Sequence, residues 1–491
     1  MITILATTKT EEKINQLVST VERLSELIKV TTAKGDLSVG EKVLFIEENK
    51  IRCTIDWFDT EPPILFPVVP FSNEALMTLI FYKLGNEQQA FEYIDESHKL
   101  FVPLLAATNI KFGYKIESNL LKQLSEFNQV IVNHYGDLEN SRSLNDVKTL
   151  YESVLLKAKD KEVQCLAAKH FVNLLLDAQR FEEAVSVCAR YMNQATNEEA
   201  QNALRMLWTT AKTKGLQLPY DELDLLKIAN VQVKCIDYLQ EHNFALNAAL
   251  LAMEASDISN YLNDYPTAKE YINISIKIFK EFDISEFLGE AGLKKANLLY
   301  NWSKNGSPQY YKASINAFQD VLKIFKRDSH PQQFAEIHHS LALIYSEIPA
   351  APEEKAMWIA FSASSFKEAL AYFTEEAFPY EYAMVCHNYA TALMDFPPAK
   401  LHNNHEKANE FFRAALSIRT AKDYPVERAL TLLNTIELGW LMHNENEQIE
   451  GERLDLMKKQ AEEVLSLVTD ENLCQKAKDQ LNRLADLKEL I

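Results

Sequence analysis

The chain has 491 residues, of which 47% are hydrophobic, and its 70 acidic side chains outnumber its 51 basic ones to give a formal charge of −19. This charge repels phosphate backbones, and no basic run overrides it, so we expect no nucleic-acid partner. Only 11 residues are glycine, which leaves few places for phosphate-binding loops and argues against a doubly wound nucleotide-binding enzyme.

The first 70 residues differ in pattern from the rest. Helical spacing over residues 11–30 predicts a helix, and the β-branched and aromatic run 42–58, interrupted at Glu48 and Asn49, predicts a small β-hairpin. Prolines 62, 63, 67 and 70 then favour an extended connection. We interpret segment 1–70 as an α/β cap, with a separate interaction element as the alternative.

From residue 71 onward the apolar period is helical, in amphipathic stretches joined by short polar or proline-bearing segments. Pro331, Pro379 and Pro425 each open a similar segment, and they lie 48 and 46 residues apart. Proline suits the first turn of a helix, where its missing N–H is not needed. We therefore predict degenerate hairpins over 71–256, regular 46- to 48-residue repeats over 257–451, and polar capping helices over 452–491.

The second helix of each regular repeat carries a stripe of small, large and small residues at positions i, i+4 and i+7. The four stripes are Ala268/Ile272/Ser275, Ser314/Phe318/Val321, Ser362/Phe366/Ala369 and Ala408/Phe412/Ala415. This spacing places the three side chains on one face, where small residues let two helix backbones approach closely. The pattern predicts one helical hairpin repeated four times.

These stripes, together with the segments 85–93 and 179–188, resemble the tetratricopeptide (TPR) repeat in a long-period form. The resemblance implies an all-α, right-handed TPR-like α-solenoid of helical hairpins, here with the small N-terminal α/β cap. It also implies that the first helix of each hairpin lines a concave, partner-binding face.

Catalytic motifs are missing from the sequence. Gly289 and Gly292 lie in a helical pattern without the lysine of a phosphate-binding loop, and no nucleophile or zinc-protease motif occurs. His402 and His405 lack further ligands at a recognisable spacing, and the six cysteines form no C-x-x-C pair. We therefore expect no enzyme activity, no cofactor and no metal.

The TPR resemblance places a set of polar and apolar residues on the concave face. The candidate partner-binding residues are His339, Ser340, Met384, His387, Asn388, Thr391, Leu430, Asn434 and Glu437. In TPR proteins of this kind an asparagine there hydrogen-bonds the main chain of a bound peptide, since a carboxamide both donates and accepts. The alternative is that these asparagines and histidines join helices to each other. Protonation of His339 and His387 near pH 6 is a further hypothesis for changing the charge of this face.

We accordingly expect a non-catalytic adaptor or scaffold that binds a protein or peptide. The alternative function is a regulator whose solenoid changes shape when a peptide or small ligand binds. Neither a signal peptide nor a stretch of about 18 apolar residues occurs, so the sequence favours a cytoplasmic protein without membrane insertion.

Overall fold

A computed structural model describes residues 2–37, 41–397, 403–442 and 447–490. The chain forms two compact units, Met1–Glu281 and Phe282–Ile491. The four-segment division at residues 70, 256 and 451 stays a prediction, and the residue 451/452 boundary lies within one helix, Glu447–Leu467.

The first unit begins with a mixed β-sheet. Its strands are β1 (Ile2–Leu5), β2 (Ile28–Thr31), β3 (Lys42–Glu47), β4 (Lys50–Cys53) and β5 (Val69–Pro70), in the order β2-β1-β3-β4-β5. Strand β1 is parallel to both β2 and β3, whereas β3 and β4 form an antiparallel hairpin. The turn residues Glu48 and Asn49 both have positive φ, 49° and 59°, as a two-residue hairpin turn of right-handed strands requires. The predicted hairpin is thus confirmed.

The predicted helix over 11–30 is too long. Helix α1 spans Thr8–Ser19, a 3₁₀ turn follows at Leu24–Glu26, and β2 replaces the last part of the expected helix. The helical spacing of apolar residues does not determine the structure here, because β2 pairs with β1 over its whole length. Ile2 lies opposite Ile28, and each following residue of β1 lies opposite the next residue of β2. All four residues of β1 are buried, as is typical of a strand that is covered on both faces.

Helices follow one another through the remainder of the first unit. They are α2 (Asn73–Lys83), α3 (Glu87–Phe91), α4 (Phe101–Phe112), α5 (Ser118–Gln123), α6 (Glu126–Tyr135), α7 (Leu144–Lys157), α8 (Lys161–Asp177), α9 (Phe181–Met192), α10 (Glu198–Lys214), α11 (Glu222–Glu241), α12 (Ala245–Tyr261) and α13 (Tyr265–Glu281). A parallel pair of two-residue strands, β6 (Lys115–Ile116) and β7 (Asp137–Leu138), flanks α5 and α6 in the chain.

The second unit consists of helical hairpins. Its helices are α14 (Ser285–Lys304), α15 (Tyr310–Val321), α16 (Pro331–Glu347), α17 (Pro352–Tyr372), α18 (Pro379–Asp395), α19 (Asn404–Ile418), α20 (Pro425–Leu441), α21 (Glu447–Leu467) and α22 (Glu471–Leu490). Each even-numbered helix from α14 to α20 packs against the next helix along the chain. Helix α21 is therefore the second helix of the α20 hairpin, and α22 packs against both of them.

The predicted repeat is visible in the backbone of the first helices. Helices α16, α18 and α20 all have 17 residues and begin at the three spaced prolines. The residues before them, His330, Phe378 and Tyr424, share φ near −139°, −139° and −137° with ψ of 64°, 64° and 58°. Equivalent backbone angles at equivalent positions confirm that the three hairpins repeat one unit.

The predicted stripes of the second helices are buried throughout. All twelve stripe residues have at most 2% of their surface exposed. Where the stripe carries serine, its hydroxyl donates to a main-chain carbonyl of the partner helix: Ser275 to Ala249 at 2.7 Å, Ser314 to Ala296 at 2.7 Å, and Ser362 to Ala342 at 2.8 Å. Small side chains thus permit the close helix contact, and the hydroxyl adds a hydrogen bond across it.

These features confirm the predicted fold class: an all-α TPR-like array of helical hairpins with a small N-terminal α/β cap. Among the described residues, no helix has the length and apolar character needed to cross a membrane.

Candidate functional site

The candidate site lies on the first helices of the second unit. Helix α18 contacts α16 on one side and α20 on the other. The 48- and 46-residue steps bring Ser340, Asn388 and Asn434 to equivalent positions on these three helices. We call the side of α16, α18 and α20 that carries these three residues the first-helix face.

The predicted residues differ in how far solvent reaches them. Ser340, Met384, His387, Asn388, Thr391 and Asn434 are half-buried, Leu430 and Glu437 are exposed, and His339 is buried. A set of half-buried polar groups flanked by exposed side chains provides both fixed positions and access for a partner.

Helices α16 and α18 are joined through Asn388. Its Nδ2 atom lies 2.9 Å from Nε2 of His339, across the helix pair. This is the helix-joining role considered as the alternative. Asn388 remains half-buried even with this contact.

The next helix pair, α18 and α20, repeats the contact in an extended form. Asn434 Nδ2 donates to Thr391 Oγ1 at 3.0 Å and lies 3.4 Å from His387 Nε2. The other ring nitrogen of His387, Nδ1, lies 3.1 Å from the Oγ1 of Thr431. Five polar side chains of α18 and α20, counting Asn388, therefore connect neighbouring repeats.

Each asparagine keeps one unused polar atom. No donor to Oδ1 of Asn388 or of Asn434 occurs in the part of the chain that the structure describes. Because Nδ2 is engaged by the neighbouring helix, the carboxamide is held in place while its oxygen stays available as an acceptor.

The histidines do not titrate near pH 6. Burial lowers the pKa of His339 to about 4. Burial, with a further contribution from the positive charge of Arg419, lowers the pKa of His387 to about 4. Both rings are therefore neutral at pH 6, and the hypothesis of a charge change there is wrong.

The first helices are acidic. Helices α16, α18 and α20 carry the carboxylates Glu336, Glu347, Glu381, Asp395, Glu427 and Glu437, and their one cationic residue is Arg428. Arg428 is already paired, since its Nε lies 2.6 Å from Glu463 of α21. Glu347 is paired with Lys304 of α14 at 3.3 Å. The remaining carboxylates give these helices a negative potential.

Sequence reasoning missed a clamp on the extended segment after β4 in the first unit. Asn128 on α6, which is 2% exposed, accepts from the main-chain N–H of Leu65 at 2.9 Å and donates to its C=O at 2.8 Å. A helical asparagine thus binds an extended backbone within this chain. Only the spacing of residues 65 and 128 in three dimensions reveals it, and no local motif signals it.

A buried charge cluster at the cap was also missed. Lys83 of α2 pairs with Glu61 at 2.6 Å, and Lys42 of β3 lies 3.2 Å from the same carboxylate, beside a cavity of about 140 Å³. Burial lowers the pKa of the Lys83 ammonium, but Glu61, Cys53 and Asp56 together outweigh burial and the net pKa is raised. Burial also raises the pKa of the neighbouring Cys53 thiol to about 11. Both groups stay protonated at neutral pH, so neither is an activated nucleophile.

The described residues contain no group of three or more His, Cys, Asp or Glu side chains placed to hold a metal ion. Of the two histidines considered as ligands, His402 lies outside the described residues, and His405 lies in the first turn of α19.

No protein-family model and no curated protein matches the sequence. Solved structures with similarity include a human IFIT1 dimer with PPP-AAAA, at 13% identity and a TM-score of 0.35, covering 85% of this chain and 90% of that one. Another is the APC/C hetero-tetramer Cut9-Hcn1, at 14% identity and a TM-score of 0.25, covering 84% and 83%. A circular tandem repeat protein matches at 12% identity and a TM-score of 0.18, covering 84% and 88%. At these TM-scores the TPR-like class rests on the repeated hairpins of the chain itself.

Proposed function

We propose that this protein is a non-catalytic adaptor or scaffold that holds an extended, basic segment of a partner protein on the first-helix face. The observation that carries the proposal is the pair of equivalent carboxamides, Asn388 and Asn434. Each is fixed through Nδ2 by the neighbouring helix and has no donor to Oδ1 among the described residues.

A free carboxamide oxygen accepts from a peptide N–H whatever side chain the peptide carries. The half-buried Met384 and the exposed Leu430 lie one turn away on the same helices and supply apolar contact. The clamp of Asn128 on the Leu65 backbone is a precedent inside this chain for the same chemistry.

Charge selects the partner. The first helices carry six carboxylates, and their single cation, Arg428, is paired with Glu463. A lysine- or arginine-rich segment is attracted to this face and an acidic one is repelled, most strongly at low salt.

The proposal includes no catalysis and no cofactor. Support comes from Lys83, which lines the 140 Å³ cavity, and from the neighbouring Cys53, because their raised pKa values keep both in unreactive, protonated forms. We propose a cytoplasmic location, because the reduced cysteines suit a reducing compartment.

One observation favours the second function, a peptide-responsive regulator. The carboxamides that would meet the partner also join α16 to α18 and α18 to α20. A ligand that hydrogen-bonds to these carboxamides can therefore change the spacing between neighbouring repeats. A change in small-angle scattering on peptide addition distinguishes this regulator from a rigid adaptor, which keeps its scattering profile.

The test uses labelled extended peptides of equal length, one lysine- and arginine-rich and one with the basic residues replaced by glutamate, and fluorescence anisotropy with the full chain. The variant Asn388→Ser/Asn434→Ser introduces the residue that Ser340 already provides at the equivalent position of α16. Asn316→Ser, at an exposed position of the second helix α15, is the matched control.

We expect wild type and the control to bind the basic peptide with a salt-dependent affinity. The double variant should bind it much more weakly while it remains folded, with a melting temperature lowered only by the loss of the hydrogen bonds between the first helices. Equal binding by the double variant, or equal affinity for the acidic peptide, contradicts the proposal.

A further inference from the structure

The last regular repeat replaces two buried apolar residues by polar ones. Phe325, Phe373 and Arg419 lie 48 and 46 residues apart at equivalent positions, and Ile337, Val385 and Thr431 follow the same steps. All six are buried, with Arg419 5% exposed and Thr431 0% exposed. A charged group thus occupies a core position that phenylalanine fills in the two preceding repeats.

Arg419 has an unusual set of contacts for a buried guanidinium. Its Nη1 donates to Thr431 Oγ1 at 2.7 Å and to the main-chain oxygen of Glu427 at 3.3 Å. Within the described residues, its Nε has no hydrogen-bond partner and no carboxylate forms an ion pair with it. Burying a guanidinium without a direct ion pair is costly, so packing alone does not account for an arginine at this position.

The hydroxyl of Thr431 can donate only one proton. It lies 2.7 Å from the Glu427 carbonyl oxygen, and two oxygens at that distance need the hydroxyl proton between them, since a carbonyl cannot donate. Arg419 only donates, so it occupies an acceptor site of the same hydroxyl. Toward Nδ1 of His387, 3.1 Å away, Thr431 is therefore also an acceptor. His387 must carry its proton on Nδ1 and present a lone pair on Nε2.

This tautomer supplies one of the two acceptors that determine which way Asn434 points. Its amide end faces Nε2 of His387 and Oγ1 of Thr391. Thr391 donates its own proton to the main-chain oxygen of His387 at 2.9 Å, so both neighbours of the amide are acceptors. Only the NH2 group satisfies two acceptors, and the Oδ1 of Asn434 is left facing away from both.

We propose that Arg419 and Thr431 are positioning residues that fix the tautomer of His387, so that its Nε2 and Thr391 Oγ1 together hold the Asn434 amide and turn the Asn434 oxygen outward to accept from a partner. The consequence for binding rests on the proposed function, but the tautomer itself does not.

The preceding repeat provides a contrast within the same molecule. There Phe373 and Val385 replace Arg419 and Thr431, so the side chain of Val385 offers no hydroxyl to a ring nitrogen of His339. The contact between His339 Nε2 and Nδ2 of Asn388 uses Nε2 as the acceptor, but no threonine hydroxyl at position 385 holds the other ring nitrogen of His339 in its protonated form. The proposal thus predicts one imposed tautomer at His387 and none imposed at His339.

The experiment is ¹⁵N NMR of the full chain labelled at histidine, with His387 assigned by the spectrum of His387→Gln. Wild type should show a protonated Nδ1 and an unprotonated Nε2 at neutral pH. The double variant Arg419→Phe/Thr431→Val recreates the Phe373 and Val385 pair of the preceding repeat, and its melting temperature should stay at or above that of wild type. In this variant the single tautomer of His387 should be lost.

Two results overturn the proposal: a wild-type His387 protonated on Nε2, or an unchanged His387 spectrum in a folded double variant. If the double variant does not fold, the wild-type spectrum still tests whether His387 is protonated on Nδ1. Binding is measured separately with the lysine- and arginine-rich peptide. Because the double variant loses one of the two acceptors that orient Asn434, binding should weaken by up to about 10-fold. Unchanged affinity contradicts the link to binding, whereas a wild type that binds no basic peptide contradicts the proposed function and leaves the tautomer result standing.

Discussion

Replacing Phe412 by alanine tests the repeat architecture at one side chain. Phe412 is fully buried and is the large residue of the Ala408/Phe412/Ala415 stripe. Its ring packs in a cluster with Phe366 and Tyr389 and meets the His387 imidazole edge-on, with centroids 5.7 Å apart. Truncating a fully buried phenylalanine removes its transfer free energy and leaves a cavity, for a cost of about 3–5 kcal/mol.

For a unit of 150–250 residues this cost corresponds to a fall in melting temperature of roughly 6–20 °C. Differential scanning calorimetry of the full chain measures the shift, and hydrogen exchange of peptides from α18 to α20 locates it, because a repeat array transmits destabilisation mainly to neighbouring repeats. Phe361→Ala is the control, since that ring is 46% exposed on α17. A Phe412→Ala shift no larger than the control's, or exchange changes spread evenly over the chain, would refute the repeat assignment.

Three further predictions follow from buried polar groups. First, the pKa of His339 and of His387 is about 4 in the folded chain, against about 6.5 in the unfolded chain. Between these two pH values the unfolded state therefore binds more protons than the folded state. The free energy of unfolding should be fully retained above pH 6.5 and fall toward pH 4, by at most about 3 kcal/mol per histidine. Urea unfolding at pH 7 and pH 4.5 should show a smaller loss for His339→Gln than for wild type, and identical losses contradict the expectation. Second, Ser362→Ala removes the 2.8 Å bond to Ala342 O and should lower the free energy of unfolding by about 1 kcal/mol, with Ala408→Ser as the reverse change in the next repeat. Third, Lys83→Met leaves Glu61 buried with Lys42 as its remaining partner and should cost about 3–5 kcal/mol; if adding Glu61→Gln restores none of it in urea unfolding, the ion pair is not the cause.

The repeated hairpins were predictable because their signal is local and recurs. A proline at the first helical turn and the i, i+4, i+7 stripe both depend on contacts within one hairpin, and the 46- and 48-residue steps repeat that evidence. The hairpin turn at Glu48 and Asn49 was predictable for the same reason, since the turn and its flanking strands are adjacent in the chain.

Long-range pairing explains what the sequence did not reveal. Strands β1 and β2 are separated by α1, and β2 looks helical until its pairing with Ile2–Leu5 is known. The partners of Asn388 and Asn434 lie 43 to 49 residues away on the neighbouring first helices, so equivalent positions could be assigned but not the hydrogen bonds between them. The exceptional position of Arg419 could have been found in the sequence, because extending the stripe alignment by one more helical turn aligns Arg419 with Phe373.

Departures from the repeat are concentrated near the candidate site. Thr431 of the α20 repeat stands at the position that Val385 occupies in the α18 repeat. Arg419 likewise stands at the position after α19 that Phe373 occupies after α17. The stability of a repeat array is approximately a sum over its units and their interfaces, so one unit can accept a polar core while the others retain the apolar one. The altered unit is also the one whose carboxamide, Asn434, has both of its amide-side neighbours identified as acceptors. Polar residues in the core lower stability, and packing alone does not explain why this repeat contains them. They occur in the same repeat as Asn434, the best-oriented acceptor on the first-helix face.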